Sequence, residues 1–353
     1  MASVVSPVNF NQLVDLTTEI NLIPNKYQRL GQLGIFRQEG IYQDTVVFDR
    51  TEQEIHLLAD TKGLGNKQLS SKDWKREVFS LVVPEFSYSD YITPRDVKGI
   101  RAVGTTDAEE ALATIQERKL RKLRDLHELT HEYLRWGAIK GITVTPDGKT
   151  YANMFTEFNV TPKTVNFDFS ASNVKGFLEQ CREIARHMED NLMDGSMWAG
   201  QVHVFVSPQF FDALTTHPTT FEAYNMYTNS NQANGAQVNR DELGRVWSGR
   251  TFLHGGVMFE EHRGNAKYNG STVKFITDGE GHAIPLGVDD LFVDYVAPAA
   301  KFGLLGTAGQ SAYAWQRAME NDEQIEIESF SAHLPICRRP AVLVKVTGTY
   351  PTP

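Results

Sequence analysis

One stretch of the sequence sets residue types at a spacing that chemistry could use. His127-Glu128-Leu129-Thr130-His131 reads H-E-x-x-H. Two imidazoles four residues apart fall on one helical face and can share a Zn²⁺, and the Glu between them can act as general base toward a metal-bound water. That chemistry would make the chain a zinc-dependent metallopeptidase working through His127, Glu128 and His131. The flanks speak against it. Zinc peptidases keep the positions around the motif uncharged because the helix is buried behind the metal, whereas Asp125 and Glu132 put charges there. No glycine and third histidine follow at the spacing of the longer zincin motif, and no downstream Glu motif offers a third ligand. The plainer reading sets both histidines on the flank of an amphipathic helix, facing solvent or a neighbour.

Other candidate chemistry is thinner. No G-x-S-x-G elbow, P-loop or Cys-x-x-Cys pair is present. Lys62-Gly63-Leu64-Gly65-Asn66-Lys67 lacks the spacing and following helix of a phosphate loop and reads as a hairpin tip. His203, His254 and His282 lie in or beside apparent strands, as packed neutral rings. Arg118, Lys119, Arg121, Lys122 and Arg124 form a basic run among Glu117, Asp125 and Glu128, which suits local ion pairs better than nucleic acid. Arg338 and Arg339 read as inter-strand or intersubunit partners of Glu326 and Glu328.

The element that carries the motif is a long helix over 106–137. Thr106 and Glu109 match a capping box, and Gly137 stands where a left-handed residue would close the helix. Leu112, Ile115, Leu120, Leu123, Leu126, Leu129, Tyr133 and Trp136 recur at spacings of mostly three and four and share one broad face. Glu110, Glu117, Arg121, Arg124, Glu128 and Glu132 fill the other, which predicts one wet side. The hairpin signal that follows, Ile142 and Val144 with a Pro-Asp-Gly turn and Tyr151, names the expected target of the apolar face.

Before the helix, residues 1–35 are too sparse in apolar groups to build a core, which predicts a segment either disordered or pinned onto other subunits. Thr45–Asp49, Glu54–Leu58 and Glu77–Pro84 predict a long two-stranded excursion whose polar tip spans 60–73. After it, Ser172 caps a helix carrying Cys181 and Met188, Gln201–Val206 is a buried strand, and Ser207-Pro208 starts a short helix. Asn225–Arg240 reads as a loop, then Arg250–Glu260 and Val273–Thr277 as paired strands joined by a turn over Arg263–Ser271, with Gly255 and Gly256 as a bulge, and Ala283–Val288 as a further strand. Ile325–Phe330 alternates apolar and acidic residues like an edge or half-exposed strand, and Ala341–Val346 ends the chain as a strand.

Composition narrows the classes. With 353 residues, 41% hydrophobic, the chain can bury two cores. A net charge of -9 and pI ≈ 5.6 argue against wrapping nucleic acid with a basic surface and suit a container better than a binder. Cys181 and Cys337 allow one disulfide, but two buried thiols in a reducing cytoplasm is the plainer reading. No signal-peptide pattern opens the sequence and no apolar run approaches the ~20 residues that span a bilayer, so no membrane partner is expected.

The order of arm, long hairpin, long helix, sheet, inserted α/β unit and returning strand resembles the Hong Kong 97-type phage capsid fold. More closely, the sequence is similar to the major capsid protein (major head protein E) family of lambda-like phages. The resemblance rests on Gly137-Ala138-Ile139-Lys140-Gly141 with Asp147-Gly148, on Phe252 to Leu286, and on Tyr313-Ala314-Trp315 through Glu328-Ser329, Leu334-Pro335-Ile336 and Arg339-Pro340. It implies an α+β fold with an N-terminal arm (1–35), an extended loop (36–90), a peripheral domain (91–165 and 301–353) whose spine helix is 106–137, and an axial domain (166–300). It further implies a structural protein without catalytic, cofactor or metal residues, in which the zinc-like histidines lie on the spine-helix surface. Copies would assemble as pentamers and hexamers into an icosahedral head enclosing double-stranded DNA without sequence-specific binding. Scaffolding, portal and decoration proteins would be the partners, the bacterial cytoplasm the place of assembly, and the virion the destination. A nanocompartment shell of the same fold, holding protein cargo, is the related alternative.

Overall fold

The computed structural model describes residues 13–23, 29–51, 76–99, 108–170, 176–192, 200–220, 251–319 and 323–351. Two six-stranded sheets carry the architecture, and one 33-residue helix, Ala108–Lys140, touches both. Thr106 of the expected capping box lies outside the described residues, as do Ser172, residues 225–240, the phosphate-loop-like 62–67 and the strand expected at 54–58.

The first sheet runs in the order Val14–Asp15, Tyr313–Ala318, Ile325–Cys337, Phe292–Val296, Phe36–Gly40, with Glu85–Ile92 also paired to Ile325–Cys337. That 13-residue strand is its centre. Residues 325–330 pair with both Tyr313–Ala318 and Glu85–Ile92, and residues 333–337 pair with Phe292–Val296. Of the two expectations for 325–330, an edge or a half-exposed strand, the edge fails, since the strand is central, while Ile325, Glu328 and Phe330 remain partly exposed. Its acidic residues are accommodated by partners: Glu326 by Arg317 and the Tyr91 hydroxyl, Glu328 by Lys301.

The second sheet runs Thr251–His254, Val257–Glu261, Val202–Val206, Glu280–Pro285, Val344–Thr349, Lys163–Asp168. Val202–Val206 is buried along its whole length, as a strand covered on both faces must be. Phe177, Cys181, Ile184 and Met188 at the start and along helix Leu178–Leu192, with Phe210, Phe211 and Leu214 of helix Pro208–Thr216, supply the apolar cover. Ser207 caps the second of these helices, its hydroxyl accepting from the Phe210 amide, as the Ser-Pro start predicted.

Strand pairing redraws the expected boundaries. The expected boundary between 165 and 166 cuts through the strand Lys163–Asp168, which pairs along its whole length with Val344–Thr349 inside the second sheet, although 344–349 is expected beside the long helix; Phe292–Val296, expected in the axial domain, belongs to the first sheet. The extended-loop span also shrinks: Phe36–Gly40 and Glu85–Ile92 are strands of the first sheet, leaving the hairpin of Thr45–Thr51 with Arg76–Val82 as the excursion. Gly255 and Gly256, both at positive φ, form a two-residue turn joining Thr251–His254 to Val257–Glu261, not a bulge. Asn265–Tyr268 pairs with Ser271–Lys274 in a separate hairpin, so the pairing expected between the 250–260 and 273–277 segments does not form.

Gly137 does not end the long helix. The helix runs on to Lys140 and is closed by Gly141 at φ +74. Gly137 is needed for another reason: a Cβ there would stand 2.9 Å from the Thr143 Cα, where strand Ile142–Val144 crosses the helix. The helix's principal support is the strand Ile325–Cys337, distant in sequence, while the hairpin Ile142–Val144/Thr150–Asn153 packs at its C-terminal end.

Candidate functional site

The zinc-like motif lies inside the interface between the long helix and the first sheet. His127, Glu128, His131 and Glu132 are all buried, and so are Arg124 and Arg135, whereas Leu126 is exposed. The wet side expected of this helix is thus dry over its C-terminal half. The reason is the N-terminal segment, which lies on its own subunit. Leu16 and Ile20 pack with Leu120 and Leu123. Asn21 donates to the Ala312 carbonyl at 2.9 Å and its Oδ1 accepts from Arg124 at 3.1 Å. Further on, the Leu30 amide donates to Glu132 Oε1 at 3.0 Å, and Arg29 donates through Nε to Glu260 Oε1 at 2.6 Å. The arm residues that are described are pinned to the chain itself, because these carboxylates and carbonyls give a weakly apolar segment its anchors.

Alternation along the central strand sends Ser329, Ser331 and His333 toward the helix. Ser331 Oγ stands 2.7 Å from His127 Nδ1 and 2.9 Å from His131 Nε2, and Ser329 Oγ stands 2.9 Å from His127 Nε2. The donor count fixes the tautomers. Ser329 donates to the Tyr88 carbonyl at 2.8 Å, so it accepts from His127 Nε2–H. His127 Nδ1 then accepts from Ser331, and Ser331 accepts from His131 Nε2–H. The chain of bonds runs one way, from His131 to the Tyr88 carbonyl, and leaves His131 Nδ1 as a buried nitrogen with no partner.

Both rings are neutral in this setting. Burial, then the nearby His333 and Arg124, push His127 down to about 4, and burial with His333 and His127 pushes His131 well below its ordinary value. The His131 ring lies 3.6 Å from that of His333, centroid to centroid. His333 presents Nε2 to the Ser311 carbonyl at 2.8 Å and Nδ1 to Asp294, which also accepts from Arg135 at 2.9 Å. Burial works to raise the Asp294 carboxyl, but His333 and Arg135 outweigh it and hold it below the usual range. Glu128 and Arg124 pair at 2.5 Å; burial nonetheless moves the Glu128 carboxyl up and the Arg124 guanidinium down.

This arrangement is incompatible with the zinc chemistry. The point on which the two imidazoles converge is occupied by the Ser331 hydroxyl, both His127 nitrogens are engaged, and Glu128 is tied to Arg124 instead of facing a water site. No group of three His, Cys, Asp or Glu side chains able to hold a metal occurs among the described residues. The histidines are not helix-surface residues either; they are the polar part of a core. Sequence reasoning missed Ser329, Ser331, His333 and Asp294. Polar residues at i, i+2 and i+4 of an apolar strand were the available signal. The paired arginines also differ from expectation: Arg338 donates to the Tyr295 hydroxyl and Glu39, and Arg339 to the Leu192 carbonyl. His282 is a packed ring as expected, pushed by burial down to about 3, and His203 donates to Glu260.

Arm, hairpin, long helix across a sheet, and second sheet with its own helices together give a fold shared with phage-capsid subunits. Solved structures agree: the chain matches a crystal structure assigned as a prophage capsid protein of Escherichia coli CFT073 (TM-score 0.57, 12% identity, 95% of this chain and 100% of that one). It also matches the capsid protein of Myoviridae phage XM1 (TM-score 0.50, 11% identity, 94% and 95%). At such identities the likeness is one of fold. The sequence goes further. The family described as phage major capsid protein E matches residues 12–348. The major capsid protein of Pseudomonas phage KPP10 is 33% identical over 356 residues, covering 98% of this chain and 99% of its own, and that of Salmonella phage Felix O1 is 32% identical over 357 residues, covering 95% of each. The chain belongs to the phage major capsid protein E family, and its function is that of a tailed-phage major capsid protein. Among the described residues no helix is long and apolar enough to cross a membrane.

Proposed function

We propose that copies of this chain associate as pentamers and hexamers into an icosahedral head that encloses double-stranded DNA without reading its sequence. The observation that carries this is the hairpin Thr45–Thr51/Arg76–Val82. Its inward face, Val46 and Leu81 with Phe48 and Phe79, packs on the chain's own core. Its outward face carries three valines, Val47, Val78 and Val82, 61%, 59% and 57% exposed, each opposite a polar residue in register: Ser80, Asp49 and Thr45. A two-stranded ribbon is marginal alone, and three large apolar side chains left in water on its outer face complete their burial on another subunit. In this reading the first sheet and long helix form the peripheral part and the second sheet the axial part around the symmetry axes. A charge of -9 suits a wall that contains DNA without gripping it. Scaffolding, portal and decoration proteins are the further partners this reading entails, with assembly in the bacterial cytoplasm.

The test is the mass of the purified chain by light scattering and negative-stain microscopy, with and without EDTA. Rings of five or six or closed shells, unchanged by EDTA, are expected. A stable 39.7 kDa monomer at every concentration, with or without EDTA, would refute the proposal.

A further inference from the structure

Within the capsid reading, on which this inference rests, one apolar feature has no use inside the subunit. The turn after Phe292–Val296 raises Phe302 and Leu305 into solvent, 96% and 76% exposed. It is held in shape. Lys301 donates from Nζ to Glu328 at 2.8 Å and lies 3.8 Å from the Trp315 ring centroid. The Leu304 amide donates to the Lys301 carbonyl and the Thr307 amide to the Leu304 carbonyl, while Leu304 itself packs with Tyr313 and Trp315. Two large side chains fixed in water by a built turn lose little freedom on docking.

The same chain has an apolar hollow. Strand Glu85–Ile92, the long helix and the hairpin Asn265–Tyr268/Ser271–Lys274 surround a cavity of ≈ 540 Å³, with Tyr88, Leu126 and Tyr268 exposed on its walls and Leu129, Thr130 and Tyr133 beside them. Knob and hollow cannot meet within one molecule. Ser329 and Ser331 reach the helix on one face of the central strand, so the hollow lies on that side; Glu328, opposite Trp315 in register, holds Lys301 on the other. We infer that Phe302 and Leu305 plug the hollow of a second copy of this chain. A knob on one face and its socket on the other make a head-to-tail contact, which closes into rings when the rotation permits and tiles a shell when repeated. Self-assembly supplies the occupant: every copy that presents a knob also presents a socket.

The experiment uses the full chain with two variants. Phe302→Asp removes no packing from the subunit, so its unfolding midpoint is expected to match that of the unaltered chain, while the particle peak in light scattering is lost. Phe302→Cys combined with Thr130→Cys, assembled and oxidised, is expected to give a ladder of disulfide-linked multimers that either single variant lacks. Cys181 and Cys337 do not compete, both being buried with thiols pushed up to about 12. Normal assembly of Phe302→Asp overturns the knob. Lost assembly with no ladder in the double variant overturns the hollow as its socket, and a ladder from Phe302→Cys alone means that knob meets knob. If the unaltered chain forms no rings or shells, the self-assembly proposed above falls, a result distinct from all of these.

Discussion

Acid should loosen this subunit well before its carboxylates titrate, and the sign follows from the buried rings. Burial holds His127 and His262 down to about 4 and His282 down to about 3. Unfolded, each returns to 6.5, so between these values the unfolded chain binds more protons than the folded one. The stability they contribute is fully present above 6.5 and drains away as pH falls toward the folded value. For a ring moving from 6.5 to 4, lowering pH from 7.5 to 5.0 costs roughly 2 kcal/mol, and three rings bring the upper figure to roughly 6 kcal/mol. Against the 5–15 kcal/mol that typically holds a domain, that is a large share. Glu85, Glu128 and Glu132 act in the opposite sense, since burial raises all three and the folded state keeps their protons longer. Three acids against these three rings, with His131 and His254 also lowered by burial, leave the net slope positive. Urea unfolding of the subunit, kept below its assembly concentration, at half-unit steps from pH 7.5 to 5.0 reads the slope. His127→Gln keeps a neutral polar group beside Ser329 and Ser331 and should flatten the slope between pH 6 and 5 by roughly 1 kcal/mol. A flat or inverted profile in the unaltered chain, or a slope that His127→Gln leaves untouched, would refute the reasoning.

Asp294→Asn should cost about 3–5 kcal/mol, because it removes the charge that Arg135 and His333 share in a site with no solvent, and urea midpoints at pH 7.5 would show it. Gly137→Ala gains about 1 kcal/mol of helix propensity but sets a methyl 2.9 Å from the backbone of Thr143; the clash should win, and a raised midpoint would mean that the hairpin yields.

The long helix was legible because its period is a local property, and so were the strand Val202–Val206 and the Ser207 cap. Which side of the helix is wet was not legible. The wheel put Arg124, Glu128 and Glu132 in water, but Asn21 and Ser311 reach Arg124 and Leu30 reaches Glu132 from 102 to 187 residues away in sequence, and Glu128 pairs with the Arg124 so buried. A charged residue looks exposed until its partner is known, and partners are long-range facts. The same holds for Ile325–Phe330: its acidic alternation imitates an edge strand, and only the register with Tyr313–Ala318 and Glu85–Ile92 shows that both sides are paired. The zinc-like pentapeptide misleads for a related reason. Two histidines at i and i+4 converge on one point whatever fills it, and here the sequence of the helix says nothing of the Ser331 hydroxyl that does.

That convergence also explains why a spine carries polar groups through a core. Ile115, Leu120 and Leu123 would slide against a uniformly apolar strand with little penalty, since apolar contacts are non-directional. His127 and His131 bonded to Ser329 and Ser331 fix one register of helix on strand, as a shift of either element by one residue leaves imidazole nitrogens and hydroxyls buried without partners, at about 1–3 kcal/mol each. The unpartnered Nδ1 of His131 and the buried Arg124–Glu128 pair are part of the cost of that specificity. A shell subunit has reason to bear it. Its knob at Phe302 sits on a turn between strands of the first sheet, and its hairpin valines stand on a separate two-stranded ribbon packed against that sheet, so the contacts a neighbour meets are in position only while the helix and sheet beneath them keep one arrangement.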